Sequence, residues 1–214
     1  MNKNLLLIGG GGHAKSVIDS LSFSKAYNKI GIVDNSQEIG SSINGIEVVG
    51  KDANLKKLRH EGYTHAFVTV GSVGSTVLRR KLTNLILEND FLIPNIIDKT
   101  ANISDLANIG YGNFIGKFTI INANVKIGNN NIMNSGSIIE HDCIINDFVH
   151  VAPGAILCGG VEIENDVHVG ANSVIKQGIK IKNQAIIGLG SVVLTDIGEN
   201  MVAYGNPAKE VKIK

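Results

Sequence analysis

Aliphatic residues recur every six positions through the second half of the chain. Every sixth residue from Ile103 to Val193, sixteen residues in all, is Ile, Val, Leu or Met. A second column lies four positions later and holds smaller side chains, among them Ala107, Cys143 and Ser191. A helix repeats every 3.6 residues and a strand every two, so neither explains the spacing, whereas a solenoid of hexapeptides does. Three hexads make a triangular coil, and the fifteen whole hexads from 103 to 192 predict five coils of stacked parallel strands.

The first half of the chain has a different pattern, in which strand and helix segments alternate. The segments "NLLLIGG", "KIGIVD" and "THAFVTVGS" are typical of buried strands, and "HAKSVIDSLSF" and "STVLRRKLTNLILEND" have the spacing of amphipathic helices. The helical pattern ends at "IPNIIDKTANI", where Pro94 marks a junction. We therefore predict two domains, a small α/β domain with a parallel sheet over residues 1–95 and a solenoid over residues 96–214.

Composition and charge narrow the classes of function. A formal charge of +1 and the lack of a long basic run argue against a nucleic-acid or anionic-membrane partner. No apolar run is long enough for a membrane span or a signal sequence, and the two cysteines have no metal-binding spacing. These features predict a cytoplasmic protein with reduced thiols and no metal.

The repeat resembles the left-handed β-helix of the hexapeptide acyltransferases. A half-Rossmann segment containing "IGGGGHAKSV" precedes it, and "YGNPAKEV" follows it. In this order, the whole chain resembles the bacterial sialic acid O-acetyltransferase and nucleotide-linked 4-amino-sugar N-acetyltransferase family. The resemblance implies that the N-terminal domain binds a sugar nucleotide, that the β-helix binds acetyl-CoA, and that three chains form a homotrimer.

The segment "EHD" carries the predicted chemistry. Acetyl transfer from a thioester needs a base for the nucleophile and a donor for the developing oxyanion. A surface histidine is usually only a solvated side chain, but the family has its catalytic histidine in this setting. The resemblance therefore implies that His141 is the general base, Asp142 its acidic partner, and Asn134 a residue that orients the base. Adding one coil of 18 residues to position 141 gives Gly159, where the family uses a backbone amide as oxyanion donor.

The same resemblance assigns the cofactor residues. His150 is expected to contact acetyl-CoA near the thioester, while Ala171 and Leu189, which are 18 residues apart, are expected to flank the pantetheine arm. His168 lies one coil after His150 and has no assigned role. The histidine spacings of 9 and 18 residues lack the accompanying ligands of a metal site, which also argues against a hexapeptide γ-carbonic anhydrase.

The N-terminal glycines are the predicted sugar-nucleotide site. The segment "GGGGHA" resembles a dinucleotide fingerprint, but about ninety residues form only half of the usual NAD-binding domain. Glycine amides at a helix start can bind phosphate or sugar oxygens. The expected substrate contacts are Gly11, Gly12, His13, Asp34, Asn35 and Gly71, together with Arg79, for which a solvated helix face is the alternative.

The sequence thus predicts an acetyl-CoA-dependent N-acetyltransferase. Its expected substrate is the amine of a UDP- or dTDP-linked 4-amino-4,6-dideoxy sugar for surface glycan synthesis. Two alternatives remain open, namely a sialic acid O-acetyltransferase on the same scaffold and a non-catalytic sugar-nucleotide-binding scaffold protein.

Overall fold

The computed structural model describes residues 3–214, which form two compact units. One unit contains the residues up to Gly71 together with Val77–Ile96. The other contains Ile97–Lys214 and also the short segment Ser72–Thr76. Nothing in the sequence pattern predicted that Ser72–Thr76 would pack with the second unit.

The first unit is a small α/β domain. Its helices are α1 (Gly12–Leu21), α2 (Leu55–His60) and α3 (Val77–Glu88), with a 3₁₀ turn at Asp52–Asn54. The sheet has the order β3-β4-β2-β1-β5, with β1 (Asn4–Ile8), β2 (Lys29–Val33), β3 (Ser42–Ile43), β4 (Ile46–Gly50) and β5 (His65–Val68). Strands β1, β2, β4 and β5 are parallel, and β3 forms an antiparallel hairpin with β4. The predicted strands and helices are confirmed, whereas β3, β4 and α2 were not predicted.

The second unit is a left-handed parallel β-helix with three flat faces. Face 1 contains β7 (Asn102–Ile103), β10 (Ile120–Ile121), β13 (Ile138–Ile139), β16 (Ile156–Leu157), β19 (Val174–Ile175) and β22 (Val192–Val193). Face 2 contains β8 (Asn108–Ile109), β11 (Lys126–Ile127), β14 (Ile144–Ile145), β17 (Glu162–Ile163) and β20 (Lys180–Ile181). Face 3 contains β6 (Ile96–Ile97), β9 (Phe114–Ile115), β12 (Ile132–Met133), β15 (His150–Val151), β18 (His168–Val169), β21 (Ile186–Ile187), β23 (Met201–Gly205) and β24 (Ala208–Ile213).

The six-residue columns form the core of this unit, as predicted. Ile139 and Val169 of the first column and Cys143 and Ser191 of the second are completely buried. From β7 to β19, each strand pairs with the strand 18 residues later, so that Ile121 aligns with Ile139. Two residues per strand are enough because the backbone ladder continues from coil to coil along each face.

The corners explain the abundance of Gly and Asn. From Gly112 to Gly190, every sixth residue has a positive φ between 54° and 72°, the left-handed region. Gly, Asn and Asp enter this region at low cost, and they occupy most of these positions. Phe118 and Phe148 also lie there, at φ 56° and 58°. Below, edge 1–2 is the corner between faces 1 and 2, and edge 3–1 the corner between faces 3 and 1.

Candidate active site

His141 and Asp142 form a hydrogen-bonded pair at edge 1–2, directly after β13. The distance between His141 Nδ1 and Asp142 Oδ2 is 2.8 Å. Asn124, one coil earlier, donates from Nδ2 to Asp142 Oδ1 over 3.2 Å. The hydrogen bonds from His141 and then from Asn124 lower the pKa of Asp142, which is therefore a carboxylate at neutral pH. A carboxylate beside Nδ1 favours the tautomer with its proton on that atom, which leaves Nε2 as the acceptor.

The His141 ring lies directly over the backbone of Gly159. A Cβ at position 159 would be 2.6 Å from His141 Cε1 and 2.7 Å from Nε2, far inside van der Waals contact. The amide N–H of Gly159 makes no hydrogen bond within residues 3–214. Edge 1–2 therefore brings together the predicted base, its acidic partner and the predicted oxyanion donor, as the 18-residue spacing implied.

His150 lies elsewhere, on face 3, where it is only 8% exposed. Its Nδ1 donates to the Ser72 carbonyl oxygen at 2.6 Å, and its ring meets the His168 ring edge to face at a centroid distance of 4.9 Å. Asn134 Nδ2 is 3.4 Å from His150 Nε2, so within this chain Asn134 contacts His150. The predicted contacts of His150 with acetyl-CoA and of Asn134 with the base stay predictions.

The other two predicted cofactor residues lie on a third part of the β-helix. Ala171 and Leu189 are neighbours at edge 3–1, where Gly190 N donates to Ala171 O at 2.8 Å. Leu189 is 81% exposed. Face 1 separates this edge from edge 1–2, so one chain does not bring Leu189 and His141 together.

The glycines of the first unit divide into two kinds. Added Cβ atoms at Gly9 and Gly10 would meet Val70 Cγ2 at 2.6 Å and Ile43 Cδ1 at 2.5 Å, so these two glycines are needed for close packing. Gly11 and Gly12 are exposed, and an added Cβ at either residue would have no neighbour within 4 Å. Gly12 is the first residue of α1, whose first turn contains no acidic residue. The predicted ligand glycines therefore lie at an accessible helix N-terminus, which favours an anion.

Asp34 and Asn35 border a cleft of about 200 Å³ at the carboxyl ends of β1 and β2. Gly10 N donates to Asp34 Oδ2 at 2.6 Å, and Ser36 N donates to Oδ1 at 2.7 Å. Burial alone would raise the pKa of Asp34, but these hydrogen bonds lower it. Asn35 exchanges two hydrogen bonds with Asp52. Both predicted substrate residues thus also organise the walls of the cleft, where parallel α/β sheets bind ligands.

Gly71 and Arg79 are the last two of the predicted substrate-binding residues. Gly71 is exposed beside His13, whose Cβ is 3.7 Å from the position of an added Cβ. Arg79 is only 2% exposed, which excludes the alternative of a solvated helix face. Burial lowers the pKa of Arg79 to about 10, and the side chain is still cationic at neutral pH. Its predicted phosphate contact stays a prediction.

Comparisons with known proteins agree with both units. The PglD N-terminal domain profile matches residues 4–86, and the bacterial transferase hexapeptide profile matches residues 142–177. The H141N variant of perosamine N-acetyltransferase from Caulobacter crescentus, solved with CoA and GDP-perosamine, is 32% identical, with a TM-score of 0.90 over 98% of this chain and 97% of that one. The chain belongs to the hexapeptide-repeat sugar acetyltransferases with a PglD N-terminal domain.

Two further relatives match this chain over different shares of its length. The acetyltransferase domain of PglB from Neisseria gonorrhoeae, solved with acetyl coenzyme A, is 30% identical, with a TM-score of 0.91 over 99% of this chain and 100% of that one. An uncharacterised protein of Acanthamoeba polyphaga mimivirus is 34% identical over 118 residues, which are 55% of this chain. This chain spans only 22% of the length of that viral relative.

The described residues of the acetyltransferase form no metal centre and no membrane-spanning helix. Within residues 3–214, no three His, Cys, Asp or Glu side chains are grouped as metal ligands. No helix in the described range has the length and apolar character needed to cross a membrane. Cys143 and Cys158 are free, and burial raises the pKa of Cys143 to about 11, which makes that thiol a poor nucleophile.

The sequence did not reveal two contacts of the predicted residues. Asn124 is exposed and has no motif of its own, yet it holds Asp142 from the previous coil. The same 18-residue arithmetic that gave Gly159 also gives this position, since 142 minus 18 is 124. Ser72, by contrast, reaches His150 across 78 residues of sequence, and no periodicity predicts that contact.

Proposed function

We propose that this protein transfers an acetyl group from acetyl-CoA to the amine of a nucleotide-linked 4-amino-4,6-dideoxy sugar. The observation that carries the proposal is the exposed His141–Asp142 pair lying over Gly159. The pair supplies a base with an acidic partner, and the glycine supplies an unbonded backbone donor. The match to enzymes solved with CoA, acetyl-CoA and GDP-perosamine supports the substrate class.

In the proposed mechanism, the substrate amine attacks the thioester carbonyl carbon directly. The new C–N bond forms as the C–S bond breaks, so CoA leaves as a thiolate and is then protonated. His141 Nε2 takes the proton from the amine, while Asp142 stabilises the resulting imidazolium. The Gly159 N–H donates to the carbonyl oxygen as negative charge develops there. No covalent enzyme intermediate is needed.

The nucleotide is the open part of the substrate. The sequence predicted UDP or dTDP, whereas the perosamine enzyme was solved with a GDP-linked sugar. The accessible amides of Gly11 and Gly12 suit the phosphates that all three nucleotides share. The cleft beside Asp34 and Asn35 suits the ribose or base, so we expect these residues to set the nucleotide preference. Surface glycan synthesis and cytoplasmic localisation remain part of the proposal.

We also propose the homotrimer, because face 1 supports it. The outward side chains of face 1 are β-branched and half-buried in five successive coils, namely Ile120, Ile138, Ile156, Val174 and Val192. Such a stripe is unusual on a free surface and typical of an interface between copies. Face 1 is bordered by edge 1–2 with His141 and by edge 3–1 with Leu189. In an assembly through face 1, each site would combine the base of one copy with the cofactor edge of the next.

The direct test is an acetylation assay that follows thiol release and product mass. Acetyl-CoA is supplied with GDP-, UDP- or dTDP-linked 4-amino sugars, and with free and CMP-linked sialic acid as the alternative acceptors. We expect thiol release with a nucleotide-linked amino sugar and its loss in His141→Ala. Near-normal turnover by folded His141→Ala would refute the role of the base, and acetylation only of sialic acid would favour the O-acetyltransferase. A lack of thiol release with every acceptor would favour the scaffold alternative.

A further inference from the structure

The segment Ser72–Thr76, called the face-3 segment below, lies outside the repeat yet packs on face 3 of the β-helix. On this face, the outward residues His150 and Ile186 lie in one column, two coils apart. Ser72 is 5% exposed, and its carbonyl oxygen accepts a hydrogen bond from His150 Nδ1 at 2.6 Å. An added Cβ at Gly74 would be 3.3 Å from Ile186 Cδ1. The face-3 segment therefore follows the column from His150 to Ile186.

A hydrogen bond from Thr76 to Asp166 fixes the other end of the face-3 segment. Asp166 lies at the corner between faces 2 and 3, with a left-handed φ of +61°. Thr76 Oγ1 donates to Asp166 Oδ1. The two ends of the segment are thus bound to different positions of the β-helix, which holds the Ser72 carbonyl group in one place.

The contacts of His150 assign the proton on its ring. A carbonyl oxygen only accepts, so the hydrogen bond to Ser72 requires a proton on His150 Nδ1. On the other side, Asn134 Oδ1 accepts from the Ser135 amide at 2.9 Å, which turns the NH2 group of Asn134 toward His150 Nε2 at 3.4 Å. An NH2 group of this kind only donates, so Nε2 has to carry a lone pair. His150 is therefore a neutral imidazole with its proton on Nδ1.

Asn134 is the accessible end of this hydrogen-bonded series. It follows β12 at the start of edge 3–1, the edge that also contains the predicted cofactor residues Ala171 and Leu189. His150 is 8% exposed, whereas Asn134 is half-buried. One N–H of the Asn134 side chain faces His150, and the second makes no hydrogen bond within residues 3–214. That second N–H suits a carbonyl oxygen of a ligand, and acetyl-CoA has such oxygens in its thioester and in the amides of its pantetheine arm.

We propose that the face-3 segment is a positioning element for the cofactor. Its Ser72 carbonyl group fixes the proton of His150, and His150 in turn directs the Asn134 amide to donate to a carbonyl oxygen of acetyl-CoA. This inference rests on the proposed function and changes one expected role, since His150 acts through Asn134 and does not donate to the thioester itself. The opposite tautomer would place a lone pair against the Ser72 carbonyl oxygen and an N–H against the Asn134 NH2 group, and both contacts would be repulsive.

The test measures acetyl-CoA binding to the full chain by titration calorimetry, which needs no acceptor sugar. Asp166→Gly keeps the left-handed corner and removes the acceptor of Thr76, whereas Asp166→Asn keeps an acceptor oxygen without the charge. Gln184→Gly is the matched control, because Gln184 is exposed at the same corner one coil later, with φ +59°. We expect the acetyl-CoA Kd to rise about fivefold in Asp166→Gly and Thr76→Val, and to stay within about twofold of wild type in Asp166→Asn and Gln184→Gly.

A second readout reports the position of the proton. Nitrogen NMR of the imidazole rings distinguishes a protonated ring nitrogen from one with a lone pair, and His150→Asn, which should also weaken acetyl-CoA binding, identifies the signals of His150. We expect a proton on Nδ1 and a lone pair on Nε2 in wild type and in Asp166→Asn, with both tautomers populated in Asp166→Gly. A loss of stability alone would lower the melting temperature without changing the tautomer.

The outcomes separate this inference from the proposed function. A proton on Nε2 of wild-type His150 would overturn the inference, as would an acetyl-CoA Kd that is unchanged in Asp166→Gly, Thr76→Val and His150→Asn alike, while turnover of an amino sugar still upheld the proposed function. Acetyl-CoA binding that depends on the face-3 segment, with no acetylation of any amino sugar, would uphold the inference and overturn the proposed acceptor. A wild type that does not bind acetyl-CoA would overturn both.

Discussion

Replacing Gly159 with alanine tests whether the enzyme depends on the position of the His141 ring. The added methyl group would lie 2.6 Å from His141 Cε1, whereas carbon atoms in contact are about 3.5 Å apart or more. The ring must therefore move by about 1 Å. Gly159 does not have a left-handed φ, so the backbone accepts alanine, and the amide N–H that we propose as oxyanion donor is kept. The variant thus displaces the base and leaves the fold and the donor in place.

A misplacement of about 1 Å in a reacting group costs about a hundredfold in rate, or about 2.7 kcal/mol. We expect Gly159→Ala to lower kcat by about that factor, with the melting temperature within a few degrees of wild type. The assay is thiol release at saturating acetyl-CoA and nucleotide sugar.

The matched control is Gly178→Ala at the same edge, where an added Cβ has no neighbour within 4 Å. Gly178 has φ +69°, so its substitution strains the backbone by about 1 kcal/mol without touching His141. We expect Gly178→Ala to be less stable yet fully active. A folded Gly159→Ala with kcat within threefold of wild type would show that the ring position over Gly159 does not govern catalysis.

Three other predictions concern the acidic partner, acid stability and assembly. Asp142→Asn keeps the shape of the side chain but loses the negative charge that stabilises the His141 imidazolium. We therefore expect kcat to fall at least tenfold and its pH profile to shift, with thermal unfolding unchanged. A pH profile of kcat like that of wild type would contradict the role of Asp142 as the partner of His141. Burial lowers the pKa of His168 from its ordinary value of 6.5, so the folded state disfavours the proton. Its contribution to stability is complete above pH 6.5 and decreases as the pH falls below that value, and melting curves from pH 8 to 5 should show a smaller decrease in His168→Gln. Ile156→Asp on face 1 should give a monomer mass by light scattering and lose activity, whereas Glu162→Lys on face 2 should leave the mass unchanged.

The corner conformation of Asp142 connects its fold and its proposed function. Its φ of +61° is the left-handed value found at this position in four successive coils, from Asn124 to Gly178, and Asp is one of the few side chains that accept it. The same backbone geometry directs the carboxylate toward His141 Nδ1. A glycine would satisfy the corner equally well, so the carboxylate itself reflects the chemistry.

Phe118 and Phe148 show that the corner rule has exceptions that the pattern does not predict. Both have the left-handed φ that favours Gly or Asn. Phe148 is 7% exposed, so packing offsets its strain, whereas Phe118 is 69% exposed at edge 3–1. The backbone N–H of Phe118 donates to Thr100 Oγ1 at 3.0 Å, which links this corner to the coil before it.

The sequence by itself determined the β-helix, its inward columns and the meeting of His141 with Gly159. In a solenoid of constant coil length, spatial neighbours lie a fixed number of residues apart, so counting in steps of 18 replaces a three-dimensional search. The glycine-rich turn after β1 was predictable for a related reason, because the helix start follows from local chain chemistry.

Only the tertiary structure decided the surroundings of His150, Asn134 and Arg79. Ser72 lies outside the repeat and covers face 3, so it buries a histidine that the period alone would leave exposed. A repeat fixes which residues stack within it, but segments without the repeat have no such register, and their contacts depend on the packing of the whole chain.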